Sequence, residues 1–173
     1  FRYRSDDTSV GEVEGEDGRM NRQEILKWYA KEFEKISKEI KGKKELSYYD
    51  FLRIRNFKLQ NSSREEEKSV EEITKIAFDL ASKDKIEESI NKLLELHGVA
   101  IPIASTILAM RFPEKFCIID RVCISNLGKT EWLKKYLTDS KIYRDYLLLM
   151  RKNAKERKMN LREYERSLFE KRE

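Results

Sequence analysis

Three features of the sequence predict an all-α fold: few helix breakers, apolar residues at helical spacing, and recurring capping signals. Gly and Pro total eight in 173 residues, and Gly11, Gly15 and Gly18 share one short stretch near the start. The rest of the chain therefore carries few interruptions to a helical pattern. Asn21…Glu24, Ser69…Glu72, Asp84…Glu87 and Asn160…Glu163 each place a capping side chain three residues before an acid. At that spacing the two residues satisfy each other's backbone N–H groups in a first helical turn. No comparable period-two run with turn signals competes, and no internal repeat is found.

The length suits one domain with a sizeable core. Residues 1–20 hold six acids against three arginines, a net of −3, and few large apolar groups. They read as a flexible acidic arm, which leaves residues 21–173 as a single helical domain. The chain begins with Phe1 rather than Met, which fits a processed or trimmed product.

In the first helix Ile25, Trp28, Tyr29, Phe33, Ile36 and Ile40 lie along one face. The second segment, Tyr48 to Gln60, interleaves aromatic and basic residues. Phe51, Ile54 and Leu59 suit a core-facing stripe. Arg53, Arg55 and Lys58 stay open as phosphate contacts, because cations pair with phosphates where rings stack on bases. Val70, Ile73, Ile76, Ala77 and Leu80 repeat the helical period in a third helix, and Ile86, Ile90, Leu93 and Leu94 in a fourth.

The stretch Leu93 to Ile124 holds the most chemistry. It runs from an apolar helix end through His97-Gly98-Val99-Ala100 into a second apolar helix, Ile101 to about Met110. A linker with Pro113 follows, then the apolar run Phe116–Ile119 and a single acid, Asp120. A hairpin with Gly between two helices presents backbone N–H groups in one tight turn. With the positive end of the second helix, these can seat a phosphate. Pro102 suits a first helical turn, where its missing N–H costs nothing. Asp120 has two compatible roles: N-cap of the next helix, or a carboxylate that orients water and stabilises a developing cation. His97, the only histidine, suits a polar hairpin residue better than a catalyst or metal ligand, since no cysteine or histidine cluster supports a metal site.

After Asp120, Gly128 ends a short helix, and Thr130 caps a next one carrying Trp132, Leu133, Tyr136 and Leu137. Residues 129–173 carry fourteen Lys and Arg against eight Asp and Glu, a net of +6. Such a run is usually a solvated helix face, yet beside the hairpin it strengthens phosphate attraction. The last helix packs back on the body through Leu161, Tyr164 and Leu168.

At Leu96, Gly98, Val99 and Ala104, followed by Ile118-Ile119-Asp120, the sequence resembles the helix-hairpin-helix DNA glycosylases of base excision repair, which include endonuclease III and the adenine glycosylases. The match covers about residues 93–124, with the hairpin at about 93–110. The resemblance implies an orthogonal helical bundle, double-stranded DNA as partner, and phosphate contact by His97, Gly98, Val99 and Ala100. It implies Asp120 as the catalytic residue. His97 replaces the family's Pro and Ala100 its second Gly. Pro102 stands where bifunctional members carry a Schiff-base Lys, so the implied activity is monofunctional hydrolysis with water. Asn56 to Gln60 resembles a segment in which a helix-ending Gln fills the gap left by the extruded base, with Asn56 where the adenine glycosylases carry a catalytic Glu. No iron–sulfur cluster is expected; a monovalent cation at the hairpin is the one cofactor left open.

Composition sets the remaining bounds. Charged residues make up 40% and hydrophobic residues 39%, with a net charge of +5. A sequence pI near 9.0 permits nucleic-acid binding without diagnosing it. Cys117 and Cys123 lack zinc or redox spacing and read as free thiols in a reducing compartment. No run spans a membrane and no signal peptide is seen. A monomer in the cytoplasm, or in the nucleoid or nucleus, is expected. The alternative is a non-catalytic module that keeps the hairpin for DNA or partner binding, and the blandest outcome is a helical protein that never meets DNA.

Overall fold

The computed structural model describes residues 20–58 and 67–171. Among these, every regular element is helical. We number the helices α1 (Arg22–Ile40), α2 (Tyr48–Lys58), α3 (Glu67–Ser82), α4 (Ile86–Leu93), α5 (Ile101–Arg111), α6 (Arg121–Asn126), α7 (Ser140–Glu156) and α8 (Leu161–Glu170), with a 3-10 turn at Thr130–Lys134. No described helix is long and apolar enough to cross a membrane. The proposed acidic arm, apart from Met20, lies outside the described residues, as do Leu59 and Gln60.

The packing centres on α5. All ten residues from Ile101 to Met110 are buried, so this helix is apolar all round and needs neighbours on every side. α1, α2 and α4 pack directly against it. α3 pairs with α4, α4 meets α7, and α8 lies against α6 and α7.

Two of the four expected capping boxes form. Asn21 accepts the Glu24 N–H at 3.0 Å and Asn160 the Glu163 N–H at 2.8 Å, with each Glu bonding back to its Asn. Ser69 caps nothing, because α3 already begins at Glu67. Asp84 does not cap α4 either; it is the left-handed residue (φ 56°) that terminates α3. There the Lys85 N–H bonds the Leu80 carbonyl and the Asp84 N–H the Ala81 carbonyl, the two bonds of a Schellman motif. Gly128 and Lys158 (φ 72° and 54°) close α6 and α7 in the same way. Thr130 starts only a 3-10 turn, and the next α-helix waits for Asp139, whose side chain accepts the Lys141 N–H. Trp28, Ile76 and Leu137, assigned to apolar faces, are exposed.

The linker Phe116–Asp120 is buried and irregular, with no strand beside it among the described residues. Its backbone groups turn to side chains instead. Tyr143 donates its hydroxyl to the Cys117 carbonyl (2.9 Å) and Tyr146 to the Ile118 carbonyl (2.8 Å). The Ile119 N–H donates to Ser105 Oγ (3.1 Å) and the Ile118 N–H to Glu165. Helices α5, α7 and α8 thereby hold in place the segment that delivers Asp120.

Candidate active site

Asp120 emerges from this linker at the N-terminus of α6. Its extended backbone (φ −148°, ψ 171°) lets Oδ1 accept the Cys123 N–H at 2.8 Å. The side chain is thus both a helix cap and rigid. Asp120 is only 4% exposed, yet it lines a cleft between α1, the end of α2, and α8. Oδ2 receives no hydrogen bond among the described residues.

One wall of the cleft is aromatic. Tyr29 and Phe57 meet edge to face at 5.3 Å between ring centres, and Trp28 extends the row outward from Tyr29 at 5.1 Å. Polar groups from α2 and α8 face this wall: Lys58, Arg162, Glu165, Arg166 and Glu170. The cleft encloses about 80 Å³. A buried water needs at least roughly 10–15 Å³ of such space, so there is room for several. Beyond Leu26, Arg166 and Glu170 it opens into a broader groove where Arg22 and Lys27 add two cations.

Glu165 and Arg162 form the inner floor. Glu165 is 4% exposed; one oxygen accepts the Ile118 N–H and the other pairs with Arg162. The Arg162 guanidinium lies 3.8 Å from the centre of the Phe33 ring. Burial, reinforced by the neighbouring Arg166 charge, lowers the Arg162 pKa to about 10. It still remains cationic at neutral pH.

The hairpin is a β-turn in which the Val99 N–H bonds the Leu96 carbonyl at 3.1 Å and Gly98 takes φ 71°. That left-handed conformation explains the glycine. Ala100 has φ −97°, so an alanine is tolerated where the resembled family has its second Gly. His97 is exposed and Val99 buried. The first N–H of α5, that of Ile101, donates to the Leu137 carbonyl at 3.0 Å. Two N–H groups expected at the phosphate seat, those of Val99 and Ile101, are therefore already engaged within the protein. Ser105 is four residues, or about 6 Å of axial rise, into α5 from Ile101, and its bond to Ile119 ties the hairpin end of α5 to the segment entering Asp120.

The basic residues of α2 separate in the structure. Lys58 lines the cleft. Arg53 pairs with Glu39 and Glu32 of α1 and lies over the Tyr49 ring at 5.5 Å, so its charge is met within the protein. Arg55, left open as a phosphate contact, is only 2% exposed. Asn56 is exposed and does not line the cleft.

Glu165 and Arg162 were not singled out from the sequence, although a signal existed for the former. Leu161, Tyr164 and Leu168 define the buried face of α8. Glu165, four residues after Leu161 and three before Leu168, occupies that same face. A charged residue in an apolar register must find a buried partner. Arg162 gives no such sign, because its position follows from Phe33, far away in the chain. Compared with protein families, with curated proteins and with solved structures, the chain matches none.

Proposed function

We propose that this chain is a helix-hairpin-helix DNA-binding protein of the glycosylase type, an orthogonal helical bundle that hydrolyses the N-glycosidic bond of a damaged or mispaired base. The observation that carries the proposal is the setting of Asp120. A carboxylate fixed by its helix cap, with one oxygen receiving no hydrogen bond among the described residues, lines a cleft with room for water. There Tyr29 and Phe57 meet a mixed set of charges, Lys58, Arg162 and Arg166 beside Glu165 and Glu170. Hydrolysis of a glycosidic bond builds positive charge on the sugar while water approaches C1′. A rigid carboxylate stabilises that charge and orients the water at little reorganisation cost. Pro102, at the start of α5, supplies no amine for a Schiff base, in keeping with monofunctional chemistry.

DNA enters as substrate through the Arg22, Lys27 and Arg166 groove and the Gly98 turn. A base swung out of the stack would lie against Tyr29 and Phe57. The second proposal, a non-catalytic module, draws on the Ile101 N–H bond to Leu137, which removes one donor from the hairpin.

Single-turnover base release from duplexes carrying uracil, hypoxanthine, 8-oxoguanine, alkylated bases and mismatches tests the proposal. Wild type and Asp120→Asn are compared, with DNA binding measured for both. The expected result is release that vanishes in the variant while binding survives. Salt-sensitive binding without release from any duplex would establish the non-catalytic module instead.

A further inference from the structure

Asp120 is not the only charge fixed at the cleft. Arg162 bonds Glu165 through one nitrogen and rests on the Phe33 ring, with no further hydrogen bond among the described residues, though the Glu34 charge also acts on it. A guanidinium has five N–H donors in a planar fork. No nitrogen of Arg162 is both buried and unbonded, so the donors left over are accessible, and Arg162 lines the cleft. Glu165 is in turn anchored by the Ile118 N–H, two residues before Asp120. The cation and the carboxylate thus share one linker as their support, and both face the same space.

Such a pair of opposite charges matches the charge separation of N-glycosidic cleavage. The C1′–N bond breaks with its electron pair leaving on the base nitrogen, so the sugar becomes cationic and the base anionic. Water adds its oxygen to C1′ and gives its proton to Asp120, and that proton then passes to the departing base. The products are a sugar hydroxyl and a neutral base. We propose that Arg162 is a second catalytic residue, one whose free guanidinium donors bind the departing base and stabilise the negative charge it acquires, with Glu165 as its positioning residue. This rests on the glycosylase proposal above and names the group that meets the leaving base.

The readout is the dependence of single-turnover release on leaving-group acidity. Two duplexes are used, one with the base that wild type releases and one with its fluorinated, more acidic analogue. Arg162→Gln is expected to slow release of the parent base by roughly 10²–10³-fold, the usual effect of losing a donor to developing negative charge. The fluorinated base, needing less stabilisation, should lose at least tenfold less. Arg162→Lys, which keeps a cation on the Phe33 face, should fall between and guards against a folding defect in the glutamine variant. In protein with labelled arginines, the Arg162 guanidinium resonance should also shift on addition of the free base. Equal slowing of both substrates, with no resonance shift, would overturn the role of Arg162 while leaving the glycosylase proposal standing. Absence of release from any duplex by wild type would overturn both together.

Discussion

Asp84 grips Arg151 with both carboxylate oxygens, at 2.8 and 3.0 Å, across 67 positions of sequence. Arg151 also donates Nε–H to the Lys115 carbonyl (2.8 Å) and lies 5.5 Å from the centre of the Phe116 ring. One side chain of α7 therefore joins the end of α3 to the linker that leads to Asp120. The hydrogen bond from Arg151 outweighs partial burial and holds the Asp84 carboxyl below its ordinary value of 3.8. A depressed folded-state pKa stabilises above the unfolded value and is lost as pH falls through the folded one. Because Asp84 is half exposed, solvent screening limits the effect. Asp84→Asn should cost no more than about 1 kcal/mol at neutral pH, a difference that shrinks as pH drops below 3.8. Denaturant melts of both proteins across that pH range check it.

Lys158 terminates α7 with φ 54°, a conformation that costs a β-carbon-bearing residue roughly 1–2 kcal/mol. Lys158→Gly removes that strain and loses part of the gain to unfolded-state entropy, for a net stabilisation of about 0.5–1 kcal/mol. Gly128→Ala should destabilise by a similar amount. No atom lies within 4 Å of a β-carbon added there, so the cost would be backbone strain alone. Thermal melts with opposite shifts for the two variants are the expected outcome.

Asparagine caps helices as well as aspartate does. Asp120→Asn should therefore keep the bond to the Cys123 N–H and leave stability nearly unchanged. Asp120→Ala should cost about 1 kcal/mol through loss of the cap. Measuring stability and base release together separates the capping role from the catalytic one.

Ser105→Ala removes the acceptor of the buried Ile119 N–H. An orphaned buried amide costs about 1–3 kcal/mol. Tyr143→Phe and Tyr146→Phe, which strand the Cys117 and Ile118 carbonyls, should cost a comparable amount each. If the linker behaves as one unit, the double tyrosine variant will depart from additivity in denaturant titrations.

Burial drives both thiol pKa values up, and Cys117 and Cys123 are 1% and 0% exposed. Since the thiolate is the reactive form, a thiol-alkylating reagent at neutral pH should label neither in the folded protein. Both should label after denaturation. Mass spectrometry before and after unfolding reads the difference.

Where helices start, where they stop and which face is apolar depends on neighbours a few residues apart. For that reason the all-helical character, the caps at Asn21 and Asn160, the stop at Gly128 and the cap at Asp120 were legible in the sequence. The same local signals misled where two rules claimed one residue. Asp84 carries the chemistry of an N-cap but serves as the left-handed stop of the helix before it. Ser69 has capping spacing, but α3 had already begun two residues earlier.

The candidate site divides along the same line. Asp120 and the Gly98 turn sit in a contiguous stretch whose spacing is itself the signal, so the sequence by itself singled them out. Arg55 and Lys58, three residues apart on α2, looked alike as basic residues, yet packing buries one and sets the other in a cleft. Only the tertiary structure brought Phe33 beneath Arg162, Glu165 to the Ile118 N–H, and the Leu137 carbonyl onto the first N–H of α5. Those contacts join segments tens of residues apart. Their geometry depends on how helix faces pack together, which no local pattern of residues encodes.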